Sequence, residues 1–114
     1  MLNEDREHNL RVWLGELKDE LITLEQNRKT YKEAINLFDL RIDFLYASAE
    51  HMDYLAKKSI YEQFVEPIKG KRDDSRKMLD DFEEENFERI KALKELIARL
   101  EKETVDSKRD SIVE

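Results

Sequence analysis

Residues 10–45, LRVWLGELKDELITLEQNRKTYKEAINLFDLRIDFL, are the stretch on which the fold turns. Leu10, Leu14, Leu17, Leu21, Leu24, Tyr31, Ile35, Phe38, Ile42 and Leu45 recur at alternating spacings of four and three, and only Arg28 interrupts the row. On an α-helix this spacing gathers apolar side chains into one stripe, which has to be buried against another helix. Ala49, Met52 and Ala56 continue the row with smaller side chains, and Ile60 and Phe64 resume it after a shift of phase. The spacing predicts one helix over about residues 4–66.

The strongest breaker lies just beyond, at Pro67-Ile68-Lys69-Gly70. Proline removes a backbone donor and crowds the preceding helical turn. Glycine readily takes the left-handed conformation that ends helices. Asp73, Asp74 and Ser75 are good residues for the start of a new helix. After them Leu79, Phe82, Asn86, Ile90, Leu93, Ile97 and Leu100 form a second stripe with one slip, between Asn86 and Ile90. The reading is therefore a single helical domain over residues 1–104: a helix to about 66, a turn at 67–71, and a helix over about 72–104. Residues 105–114 lose the periodicity and are expected to form a flexible tail.

These two helices differ in length, roughly 90 Å against roughly 50 Å at 1.5 Å per residue. Folded back, the second reaches only to about residues 32–35. Leu10, Trp13, Leu14, Leu17, Leu21 and Leu24 are left without cover, and each large side chain left in water forgoes about 1.5–3 kcal/mol. A second copy of the chain would supply the cover, so these six residues are the expected self-association face, with Trp13 as an anchor. The fold class that follows is all-α: a long antiparallel, coiled-coil-like helical hairpin self-associating into a bundle, with a dimer favoured. In a parallel dimer Glu20 would approach Glu25 of the other chain, which speaks for an antiparallel arrangement. The alternative is an intramolecular three-helix bundle, with the first helix broken near Asn27 and Thr30-x-x-Glu33 acting as a capping box.

Seven of the ten residues from Leu37 to Tyr46 are apolar and cover well over half the helix circumference, more than one neighbour can bury. Leu37, Leu40 and Phe44 are accordingly the expected contact with a protein partner. Lys69, Lys71, Arg72, Arg76 and Lys77 face only two carboxylates within residues 69–77 and make the expected turn a cationic tip, a candidate docking point for an acidic group. Asp80, Asp81, Glu83, Glu84, Glu85 and Glu88 follow as an acidic block.

Composition excludes much else. Charged residues make up 43% of the chain while glycine and proline total three, the balance of long helices rather than of a loop-rich domain. With no cysteine there is no disulfide framework or thiolate nucleophile. His8 and His51 lack the Glu-x-x-His spacing of carboxylate-bridged metal bundles. Two isolated glycines cannot build a phosphate loop. The serines occupy helix or tail positions rather than the strained turn of a nucleophile. No catalytic residue, metal or cofactor is expected.

A net charge of −7 works against nucleic-acid binding, which depends on cations meeting phosphates. With no apolar run long enough to span a membrane and no signal-peptide pattern, a cytoplasmic location is expected. The functional expectation is a non-catalytic interaction protein, an adaptor, assembly or regulatory factor working through apolar helical stripes. The alternative is an acidic inhibitor that mimics nucleic acid toward a DNA-handling protein.

Overall fold

The computed structural model describes the backbone of residues 2–113 and the side chains of residues 4–104. Its elements are α1 (Leu2–Ala49), α2 (Tyr54–Ile60), a π-helical turn (Tyr61–Val65) and α3 (Glu66–Val113), with no strand among the described residues. The expectation of a flexible tail over 105–114 falls outside the described side chains.

The chain reverses at residues 50–53, not at 67–71. Asp53 caps α2: its backbone is extended (φ −70°, ψ 171°) and its carboxylate accepts a 2.8 Å hydrogen bond from the Ala56 amide. That bond satisfies one of the free donors at a helix start. On the other side of the turn the Met52 amide donates to the Ala49 carbonyl (3.0 Å), and the Ala49 side chain is fully buried. The reversal needs neither glycine nor a positive φ.

Pro67 and Gly70, expected in a turn, instead lie inside α3. Immediately before the proline the helix widens into the π-turn, and the Glu66 amide reaches back five residues to the Tyr61 carbonyl. The hydrogen-bond register has therefore shifted by one residue where the proline's missing N–H would otherwise disrupt it. The phase shift in the apolar row around Ile60 and Phe64 has the same origin. Keeping the proline and glycine helical costs about 4 kcal/mol. Reversing there would strand five leucines of α1, worth at least about 7 kcal/mol at the lower end of the burial scale. Burial of the leucines wins.

The helices divide into two units. In the first, residues 2–26 of α1 pack with residues of α3 from 85 onward, and the ion pairs Arg6–Glu103 and Glu25–Lys94 make the two segments antiparallel. Leu17, Leu93, Ile97 and Leu100 form its buried cluster, and Leu10, Leu14, Leu21 and Leu24 pack against it. Exposed ion pairs mark the register: Lys18 with Glu101 at 2.7 Å, Lys94 with Glu25 at 3.5 Å, and Arg89 gripping Glu20 through two hydrogen bonds of 2.9 and 3.0 Å. Both carboxylates invoked against a parallel dimer are thus answered within the chain.

This packing overturns the argument for self-association through Leu10, Trp13, Leu14, Leu17, Leu21 and Leu24. The stripe has its partner in α3 of the same chain, and of the six only Trp13 stays largely exposed, at 43%.

The second unit, residues 27–84, is a helical hairpin closed by the 50–53 turn. From α1 it buries Ile35, Ile42 and Ala49 and half-buries Tyr31, Phe38 and Leu45, the heptad row read from the sequence. Facing them are Val65 (1% exposed), with Ile68, Arg72, Ser75, Leu79 and Phe82 half-buried. Tyr31 packs on Phe82 with ring centroids 5.6 Å apart. α1 passes residues 26–30 without interruption, so the three-helix alternative with a break near Asn27 is corrected as well.

Candidate functional site

The two flanks of the residue 27–84 hairpin differ in chemistry. Residues two apart on a helix point about 200° apart, so Leu37 and Phe44 lie on one flank and Asp39 and Tyr46 on the other.

The Asp39 flank is closed by polar contacts. Arg72 donates to Asp39 at 3.3 Å, Arg76 lies 3.6 Å from the same carboxylate, and Arg28 donates to Glu83 at 2.8 Å. The Tyr46 ring packs on Tyr61 at 5.5 Å, and the Lys69 ammonium sits 5.2 Å from the Tyr46 centroid. A hydrogen bond with Tyr46 holds the Lys69 pKa above the usual lysine value, against a smaller lowering by desolvation. At Arg72 desolvation lowers the pKa, but hydrogen bonds to Asp39 and Asp73 together outweigh it and leave it raised.

The opposite flank is open and apolar. Leu37, Leu40, Arg41, Phe44 and Leu45 of α1 line a cleft of about 600 Å³ with Phe64 of the π-turn and Ile68 of α3. Leu40 and Phe44 are two-thirds exposed (66% and 68%), and Leu37 and Phe64 about half. The geometry follows from the sequence pattern: α3 covers one stripe of α1, while the apolar residues from Leu37 to Tyr46 span more than one stripe.

Exposed apolar side chains are ordinary when scattered singly, but here four converge on one cleft beside a turn. Helical spacing places Lys71 and Met78 on this flank too, seven and fourteen residues beyond Phe64. Met78 is exposed, and neither Arg41 nor Lys71 forms an ion pair with a described residue.

The structure thus brings together Leu37, Leu40 and Phe44, as the spacing suggested, and adds Arg41, Phe64 and Ile68. Sequence reasoning misses Phe64 and Ile68 because it places the turn at 67–71, and Arg41 because it follows apolar residues alone. Once the turn is at 50–53, Phe64 falls one position outside the inward row of Tyr61, Val65 and Ile68, which is the signal that identifies it. The expected cationic tip does not form: Lys69, Lys71, Arg72, Arg76 and Lys77 all lie within α3, and Lys69, Arg72 and Arg76 are engaged by α1 of the same chain. In the acidic block, Glu83 is taken by Arg28.

His8 and His51 are exposed, and no group of three or more metal-ligating side chains converges among the described residues. Nor is any helix in the described residues long and apolar enough to cross a membrane. Comparison with protein-family models, with curated proteins and with solved structures finds no match to this chain.

Proposed function

We propose that this protein is a non-catalytic interaction protein that docks onto a protein partner through the cleft formed by Leu37, Leu40, Phe44, Phe64 and Ile68. The observation that carries the reading is the asymmetry of the hairpin. One flank is closed by ion pairs and a tyrosine pair, and the other presents four large apolar side chains at half to two-thirds exposure.

From the size of such side chains, the accessible apolar area is on the order of 500 Å². That is near the upper end for the largest patch of an ordinary monomer, and such patches are often functional. A standard interface of roughly 800 Å² per partner is a little over half apolar and so covers about as much apolar surface as this, which suits a specific, reversible adaptor or regulatory contact.

A photo-crosslinking amino acid at Leu40, on the cleft, tests the proposal against one at Lys77, which helical spacing puts on the outer face of α3 away from Phe64, both in the full chain in the cells that make it. The expected result is a discrete adduct from position 40 that is absent from position 77. It should also disappear when Phe44→Glu is added, with helicity unchanged by circular dichroism. No adduct at position 40, or the same adducts from positions 40 and 77, would overturn the reading.

A further inference from the structure

We infer that the occupant of the cleft is one amphipathic helix of a different protein, about four turns long, carrying a carboxylate that pairs with Arg41. The inference rests on the docking reading above and names the chemistry of the partner.

The shape of the cleft suits a helix. Leu37 and Phe44 are seven residues apart on α1, and Phe64, Lys71 and Met78 repeat at the same interval on α3. Two antiparallel helices with flank residues repeating every two turns form a groove that takes a third helix by ridge-into-groove packing. An extended peptide would instead need free backbone donors and acceptors along an edge, which helices do not offer. The row from Phe64 to Met78 runs for about 21 Å at 1.5 Å per residue, and that sets the length of the occupant.

Its charge suits an acidic residue on that helix. On the closed flank Arg72 pairs with Asp39 and Asp73, Arg76 shares Asp39, and Lys69 lies on Tyr46. On the open flank Arg41 lines the cleft and Lys71 stands along it, neither in an ion pair with a described residue. A guanidinium beside an apolar floor selects a helix with an apolar stripe and an acidic residue next to it.

The same two facts argue against a second copy of this chain. A two-fold contact centred on the cleft would bring the two Arg41 side chains together near its axis, and the apolar area falls short of the roughly 650 Å² per partner that the smallest obligate dimers cover.

The test is a displayed library of helix-forming peptides selected against the full-length chain. Selections run in parallel against Arg41→Glu and Phe44→Glu, with solution mass of the unliganded chain measured by light scattering. Wild-type binders should share apolar residues at i, i+3 or i+4 and i+7 with one fixed Asp or Glu, and should depend on Phe44. Their affinity should fall about tenfold or more on Arg41→Ala and recover in large part with Arg41→Lys, as for a charged hydrogen bond. Selection against Arg41→Glu should turn the fixed acidic position basic, a switch that a merely structural role for Arg41 would not produce.

Phe44-dependent binders with no acidic position, or binders that bind as extended chains, would overturn the inference and leave the docking cleft standing. A wild-type dimer made monomeric by Phe44→Glu would also overturn it, with a second copy as the occupant. If no binder depends on Phe44, both this inference and the docking proposal fall.

Discussion

Replacing Gly70 with alanine separates the two possible placements of the chain reversal, because the sign of the effect differs between them. Gly70 lies inside α3 with a negative φ, and a Cβ added there meets nothing within 4 Å. Alanine therefore brings no clash and removes the entropic handicap of glycine, a gain of about 1 kcal/mol for an exposed helix interior. If Gly70 instead ended a helix in the left-handed conformation, alanine would cost about that much. Gly15 supplies the internal standard: it is helical and exposed, with equally open space around the built Cβ. Each substitution should raise the midpoint of urea unfolding, followed by far-ultraviolet circular dichroism, by about 0.5 M for a slope of ~2 kcal/mol/M. The two sites share no partner, so the double variant should gain about 2 kcal/mol. A Gly70→Ala midpoint below wild type, with Gly15→Ala above it, would refute the placement of Pro67 and Gly70 within a helix.

Other features give shorter tests. Asp53→Ala removes the cap of α2 and should cost about 1 kcal/mol, whereas Asp53→Asn, which keeps an acceptor, should cost much less in the same unfolding assay. Leu17→Glu with Leu21→Glu should abolish much of the helicity rather than release folded monomers, since both leucines pack within the chain; retained helicity with a halved solution mass would contradict the packing. Asp39→Ala and Arg72→Ala should each lower stability and together do so by less than their sum, because each removes the other's partner. The Lys69 pKa is raised in the fold, so the stabilisation it shares with Tyr46 is complete below the ordinary lysine range and is lost as pH rises through the raised value. The midpoint difference between wild type and Lys69→Met should accordingly stay constant near neutral pH and shrink in strongly alkaline buffer.

The inward row of α1 was readable to the residue because a heptad needs no tertiary information: Leu17, Ile35, Ile42 and Ala49 are its buried members. The unbroken path past Arg28 was legible for the same reason. The reversal was not. Pro67 and Gly70 are strong local signals, and local signals lose when several leucines depend on the outcome. Asp53 was the competing signal, a capping residue three positions before Ala56. It carries weight only once the match of helix lengths on either side of it is counted. Misplacing the turn then produced the two errors that followed from it, an N-terminal stripe without a partner and a cationic tip. Leu37, Leu40 and Phe44 could be picked out as exposed because their selection rested on the circumference of α1 alone.

That circumference also gives the sharpest check on whether the cleft is a surface or an unfinished core. Of the seven apolar residues between Leu37 and Tyr46, Ile42 is buried and Phe38 and Leu45 are half-buried in the inward row. Tyr46 is spent on Tyr61 and Lys69. Leu37, Leu40 and Phe44 are what two helices cannot cover. At two-thirds exposure, Leu40→Glu and Phe44→Glu should each change stability by no more than about 0.5 kcal/mol, the range of ordinary surface substitutions. Leu93→Ala, at a side chain only 1% exposed, should cost about 2–5 kcal/mol on the same instrument. If the two glutamates instead destabilise the hairpin on the scale of Leu93→Ala, the cleft belongs to the fold and no partner is needed to explain it. If they leave stability intact and Phe44→Glu abolishes the position-40 adduct, the apolar flank is there for something other than folding.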